Sequence, residues 1–163
     1  MKQLALTVGL ATTNSFNNYF ASPDNKIAVN TLKQLAIGGA GPVVGLQGGA
    51  DTGKSHLLHA CCARVSDSAQ VACLSMRDLV EIPPNAVLEN LDTLPLVAID
   101  DIDLAFGNIE WEEALFHFYN RLVDSGNSLL FTVSKPLKSY EGILPDLLSR
   151  LTLALVFGLK PLN

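Results

Sequence analysis

The chain has 163 residues, 48% of them apolar and 17% charged, a balance that excludes a disordered chain and leaves room for one compact domain of about 100–200 residues. Sixteen acidic against eleven basic residues give a net charge of −5, so the basic excess that grips nucleic-acid phosphates is missing and DNA is expected only as an indirect partner. Cys61, Cys62 and Cys73 make neither a C-x-x-C pair nor the even set of a secreted disulfide framework, which fits a reducing cytoplasm, and Cys61 and Cys62, neighbours on a predicted helix, are expected to pack in the core.

Residues 1–14 read as a flexible tail that lacks the apolar core and cleavage site of a secretory signal. Between Asp24 and Ile37, the apolar positions Ile27, Ala28, Leu32, Leu35 and Ala36 recur at helical spacing, with Thr31 among them and Gly38-Gly39 as the stop. A strand, Val43–Gln47, then a glycine-rich loop and a helix from Lys54 to about Val65 follow. Val71–Leu74 reads as the next strand, Pro83-Pro84 as a break, and Val87–Leu91 as a weak apolar stretch. Leu96–Ile99 is a continuous apolar run closed by Asp100-Asp101, the pattern of a strand covered on both faces of a parallel sheet. From Glu110 to Asp124, Trp111, Leu115, Phe118 and Leu122 form one helical stripe, with Glu110, Glu112 and Glu113 crowding the first turn near the positive end of the dipole. Leu129–Val133 is another buried strand, Pro145–Arg150 a short helix and Thr152–Phe157 a last strand. The whole run from Leu151 to Leu159 is too short for the roughly 20 residues that span a bilayer and reads as a buried strand, so no membrane partner is expected. Strands alternating with helices predict an α/β fold: a parallel sheet with helices on both faces.

Gly48-Gly49-Ala50-Asp51-Thr52-Gly53-Lys54-Ser55 matches G-x-x-x-x-G-K-[ST] between a strand and a helix, where the pattern must stand to work. Glycines let backbone N–H groups converge on phosphate oxygens, the helix N-terminus adds positive potential, and Lys54 supplies a cation for the outer phosphates. Ser55 would hold Mg²⁺ through its hydroxyl, and Asp100, at the end of a neighbouring strand, would hold it from the other side; Asp101 could polarise the attacking water. His56 and His59 lie three apart on the helix after the loop, with His117 distant, but no cluster completes a zinc set and no structural metal is expected.

With these residues in hand, the chain resembles the DnaA-related AAA+ ATPases over nearly its whole length. The likeness rests on Ser55-His56-Leu57-Leu58-His59-Ala60, on Ile99-Asp100-Asp101-Ile102-Asp103, on Trp111 to Arg121 and on Leu144-Pro145-Asp146-Leu147-Leu148-Ser149-Arg150-Leu151. It implies a P-loop NTPase base domain over 15–163, binding ADP or ATP with Mg²⁺ through residues 48–55 and the adjoining His56. It implies that Arg150 is an arginine finger acting in trans on a neighbouring subunit's nucleotide. It implies a sensor-like polar residue after the strand Leu129–Val133, for which Ser134 and Thr132 are the candidates; Ser134-Lys135-Pro136 replaces the family's usual Asp-Arg-Pro. Tyr19, Phe20 and Asn25 correspond to the segment flanking the adenine. Gln3, Leu4 and Leu6, in Gln3-Leu4-Ala5-Leu6, resemble the family's N-terminal peptide for the sliding clamp, the β subunit of DNA polymerase III, with Thr7 where a proline is usual.

The resemblance thus implies a regulator of bacterial replication initiation whose partners are DnaA and the DNA-loaded clamp, with homodimerisation left open. The helical lid that AAA+ chains carry after the last strand has no counterpart before Lys160-Pro161-Leu162-Asn163, so weak nucleotide affinity and weak intrinsic ATPase are expected. Two alternatives stand beside this one: a helicase-loader-like or initiator-like ATPase that binds DNA itself, and a non-hydrolysing, nucleotide-gated adaptor.

Overall fold

A computed structural model describes residues 16, 19, 23–36, 43–67 and 69–161. Five strands form one parallel sheet: β1 (Val43–Gln47), β2 (Val71–Ser75), β3 (Leu96–Asp100), β4 (Ser128–Val133) and β5 (Leu155–Gly158), in the order β2-β3-β4-β1-β5. The helices are α1 (Lys26–Ala36), α2 (Lys54–Ser66), the short α3 (Met76–Leu79) and α4 (Pro84–Leu88), α5 (Ile109–Asp124) and α6 (Pro145–Thr152). None among the described residues is long and apolar enough to cross a membrane.

Alternation along each strand divides the core in two, because successive side chains leave a strand on opposite faces. Val97 and Ile99 of β3 join Leu129, Phe131 and Val133 of β4 under α5, whose Trp111, Leu115, Phe118 and Leu122 are all buried there. Leu96 and Ala98, with Leu130 and the β1 pair Val44 and Leu46, face α1 and α2. Continuous apolar strands are therefore required, and the sheet is parallel and covered on both sides as the sequence predicts.

Helix ends follow local chemistry. Asn108 caps α5, its side-chain oxygen accepting from the Trp111 N–H at 3.2 Å. Trp111 in turn donates its indole N–H to the carbonyls of Val80 and Ile82, at 3.0 and 3.1 Å, which pins the segment between α3 and α4 to α5. Pro84 and Pro145 occupy the first turns of α4 and α6, where a missing N–H costs nothing.

Two expectations change. The run from Leu151 to Leu159 is not a buried strand: Leu151 is the buried end of α6, and the strand starts only at Leu155. Leu153 and Leu155 are exposed, because β5 lies at the sheet edge and, among the described strands, pairs with β1 alone. In α1 the buried stripe is Ala28, Val29, Leu32 and Leu35, while Ile27 points to solvent at 69% exposure. Glu112 stands in the first turn of α5 as expected, and the structure adds that it is 2% exposed, its carboxylate accepting from the backbone N–H groups of Gly107 (2.7 Å) and Leu144 (3.1 Å). Two backbone donors offset the cost of burying that charge.

Gly45 shows how tightly the sheet is filled, since a Cβ there would stand 2.6 Å from the Phe131 ring of its register partner. Gly45→Ala is expected to lower unfolding free energy by about 1–3 kcal/mol through overpacking. Chemical denaturation measures it, with an unchanged midpoint as the contrary result.

Candidate phosphate-binding site

Ligands of open parallel sheets collect at the carboxyl ends of the strands, and the residues singled out by the motifs converge there. The loop 48–53 leaves β1, and its start is tied to the neighbouring strand by the Gly48 N–H, which donates to the Val133 carbonyl at 3.1 Å. Thr52 folds back over the loop, its hydroxyl donating to the Gly49 carbonyl at 2.8 Å. A Cβ on Gly48 would meet that hydroxyl at 2.6 Å, so only glycine allows the close turn. Gly53 stands at φ +80°, a left-handed conformation natural to glycine, and turns the chain directly into α2.

The residues after that turn carry the chemistry. Lys54 is buried, yet no carboxylate lies within ion-pair distance of it among the described residues. A buried cation without a counter-ion is costly, and an arriving phosphate would supply one. Ser55 donates its hydroxyl to Oδ2 of Asp100 at 2.8 Å. The other oxygen, Oδ1, accepts from the Thr132 hydroxyl at 2.6 Å, and Thr132 Oγ1 itself accepts from the Asp101 N–H at 2.7 Å. A 6%-exposed carboxylate is thus fixed from α2 and from β4, the strand between β1 and β3. The hydroxyl and carboxylate donor set of Ser55 and Asp100 suits Mg²⁺, a hard cation that takes oxygen ligands.

Asp101 follows in the left-handed region, at φ 56°. Burial first, then the adjacent Asp100 carboxylate, hold its carboxyl above the usual range, with Lys54 and Arg77 opposing. The 3.5 Å ion pair from Arg77 is largely exposed and adds little.

Other predicted residues take different positions. Ser134 follows β4 but is engaged by Asp103, whose Oδ2 accepts from the Ser134 hydroxyl (2.8 Å) and N–H (3.3 Å) and from Tyr140 (2.7 Å). Of the two sensor candidates, Thr132 is the one bonded to Asp100. Tyr19 donates to the Thr52 carbonyl at 3.0 Å and stands 5.5 Å, ring to ring, from His56. Asn25 is fully buried: its amide donates to Tyr19 and to the Lys160 carbonyl and accepts from the Lys160 N–H at 2.9 Å. These contacts make Asn25 a strut joining the start of the described chain, the phosphate loop and the end of β5. Phe20, Gln3, Leu4 and Leu6 lie outside the described residues.

Arg150 contacts another part of the molecule. On α6, it donates from Nε to Asn120 Oδ1 at 3.0 Å, and its guanidinium lies over the Phe116 ring at 5.3 Å. Both partners belong to α5, four residues apart on one helical face. Neither Nη takes part in a hydrogen bond or ion pair with a described residue. Asn120 and the buried Glu112 lie within the stretch Trp111 to Arg121 that carries the family resemblance, but their contacts with Arg150 and with the backbone at Gly107 and Leu144 were not read from it.

A five-stranded parallel sheet in this order, with a glycine loop after β1 and an aspartate closing β3, is the base domain of a P-loop NTPase of the AAA+ type. The model of the bacterial DnaA ATPase domain matches residues 10–158, and the chain belongs to that family. Among solved structures, it is similar to a replication initiator DnaA bound to AMPPCP and single-stranded DNA, with TM-score 0.85 and 19% identity over 95% of this chain and 52% of that one. Domain III of the Thermotoga maritima initiator DnaA gives TM-score 0.79 and 24% identity over 91% of this chain and 68% of that one. The DnaC helicase loader gives 0.69 and 14%, over 92% and 98%. The chain spans about half the length of two of the initiator structures it matches.

Thr132 is the least obvious member of this group. Thr132→Val keeps the shape but leaves Asp100 Oδ1 and the Asp101 N–H unpaired, and is expected to cost about 1–3 kcal/mol of stability. Thr132→Ser restores the bonds and should recover most of it; equal denaturation midpoints for all three proteins would count against the assigned bonds.

Proposed function

We propose that the chain is an adenine-nucleotide-binding regulator of replication initiation that stimulates hydrolysis of the ATP held by DnaA, and that its nearest functional counterpart is the DnaA regulatory inactivator, Hda. The observation that carries this is the posture of Arg150. A guanidinium anchored through Nε and stacked on an aromatic ring keeps its two terminal nitrogens available for a phosphate on another subunit. An arginine so placed neutralises the charge that develops on a transferring phosphoryl group.

For its own nucleotide, the chain would use the loop amides of residues 48–53 and Lys54 to bind phosphates. Ser55 and Asp100 would hold Mg²⁺, which neutralises phosphate charge when bound. Asp101, with its raised affinity for protons, is suited to orient and accept a proton from water. Tyr19 and His56 lie at the loop's flank, where the base of ADP or ATP would be expected. AMPPCP bound to a similar initiator supports the choice of an adenine nucleotide. Docking on the sliding clamp through Gln3, Leu4 and Leu6 rests on the resemblance of that peptide alone, and the acidic net charge fits an indirect relation to DNA.

A helicase-loader-like reading draws on the likeness to DnaC; salt-sensitive binding of the chain to single-stranded DNA would favour it. Retention of ADP without any stimulation of a partner would favour a nucleotide-gated adaptor.

Two measurements test the proposal. Calorimetry should show MgADP binding that Lys54→Ala weakens by about tenfold or more, as loss of a buried charge-assisted contact implies; no heat with the folded parent protein sinks the nucleotide assignment. Decay of DnaA-bound ATP, followed with DNA-loaded clamp present, should be accelerated by the chain and should fall by about 10³-fold or more for Arg150→Ala. Asn120→Ala should lose part of the rate with unchanged ADP binding, whereas an Arg150→Ala protein as active as its parent refutes the finger.

A further inference from the structure

The segment after β4 turns away from the phosphate site, although its first residue stands at the mouth of that site. β4 lies between β1, which delivers the phosphate loop, and β3, which delivers Asp100. Gln47 and Val133 are register partners, and the Gly48 N–H donates to the Val133 carbonyl at 3.1 Å. Ser134, the next residue, is therefore level with the start of the phosphate loop, and a hydroxyl there borders the space where the outer phosphates of a nucleotide would lie. Thr132, the other hydroxyl at this end of the strand, already donates to Asp100.

The Ser134 hydroxyl is instead given to Asp103, in the turn Ile102–Ala105 that follows β3. One carboxylate oxygen, Oδ2, accepts from the Ser134 hydroxyl at 2.8 Å, from the Ser134 N–H at 3.3 Å and from the Tyr140 hydroxyl at 2.7 Å. Tyr140 Oη accepts in turn from the Lys135 N–H at 3.1 Å, and the Lys135 ammonium lies over the Tyr140 ring at 4.8 Å. Phe106 meets that ring edge-on, with centroids 5.0 Å apart. Leu137, buried in the core layer under α5, pins the middle of the same segment. Residues 134–140 are thus closed onto residues 103–106 by polar and aromatic contacts together. A hydrogen bond to a carboxylate is charge-assisted. To reach a phosphate, the Ser134 hydroxyl would exchange one anionic acceptor for another, with little net gain.

We infer that Asp103 is a positioning residue that sets how the site discriminates between nucleotides: by holding Ser134, it withholds from a terminal phosphate the contact that would favour a triphosphate over a diphosphate. The inner phosphates are served by the loop amides and Lys54, which Asp103 does not touch, so its influence falls on the outermost phosphate. The Asp103 charge works in the same direction, since it repels the more negative ligand more strongly. The two effects separate experimentally, because only the first needs the Ser134 hydroxyl.

The role of Asp103 rests on the proposed phosphate site, and the experiment distinguishes the failure of one from the failure of the other. Calorimetry of the full chain with MgADP and with MgAMPPCP gives a ratio of two dissociation constants for each protein. Asp103→Ala frees Ser134, and MgAMPPCP should gain about tenfold over MgADP, as for one added hydrogen bond to a charged group. Adding Ser134→Ala to that variant should return the ratio to the parent's value. Asp103→Asn keeps the shape and an acceptor but grips less strongly, and should move the ratio the same way by about threefold, again cancelled by Ser134→Ala. It decides the matter should Asp103→Ala not fold. A ratio that stays at the parent's value, a gain that survives Ser134→Ala, or equal weakening of both nucleotides each overturns the role of Asp103 while leaving the phosphate site intact. A folded parent protein that binds neither nucleotide overturns the phosphate site and the role of Asp103 with it.

Discussion

A carboxylate, Asp100, is buried at the carboxyl edge of the sheet and held by two hydroxyls from different elements. An ionised group is expensive to bury unless its lone pairs are met, and Ser55 and Thr132 meet them at 2.8 and 2.6 Å. This pair of bonds fixes the start of α2 against β3 and β4, and with it the turn at Gly53 and the direction of the loop amides. Lys54 brings the complementary charge into the same region without pairing to Asp100. Opposite charges held apart in a poorly solvated setting are preorganised for a ligand that carries both signs, as a phosphate with its magnesium does.

The two faces of the sheet divide the labour. On one, α1 and α2 pack over Val44, Leu46 and Ala98 and support the loop, with Asn25 and Tyr19 bracing it from the flank. On the other, α5 is a platform: Trp111 anchors the segment before β3, Glu112 holds the backbone at Gly107 and at the entry to α6, and Asn120 with Phe116 cradles Arg150. A single long helix therefore carries both the fold's largest buried aromatic and the seat of the arginine, so substitutions along its inward face affect stability and the posture of Arg150 together. Among the described residues the Glu112 carboxylate is met by main-chain N–H groups and by no cation, and its two oxygens tie the turn before α5 to the entry of α6.

Much of this was legible in the linear chain, for identifiable reasons. The glycine loop has a fixed spacing because backbone amides must surround a phosphate. Leu96–Ile99 is apolar throughout because β3 is covered on both faces, and the stripe Trp111, Leu115, Phe118, Leu122 repeats at the helical period because one side of α5 meets the core. Composition misled where burial depends on neighbours: Leu153 and Leu155 are as apolar as any core residue, yet the strand they introduce falls at an edge. Ser134 follows the appropriate strand, but only the folded chain brings Asp103 and Tyr140 to its hydroxyl.

The sequence by itself determined the α/β class, the order of the elements, the phosphate loop and the aspartate beyond β3, since each is set by local spacing and by a period of two or 3.6 residues. Tertiary structure alone decided which hydroxyls hold Asp100, why Glu112 can be buried and where Arg150 rests. The bonds of Asp100 to Ser55 and Thr132, of Glu112 to Leu144 and of Arg150 to Asn120 join residues 30 to 45 positions apart. No local pattern encodes them, because they exist only once the strand order has brought distant segments into hydrogen-bonding reach.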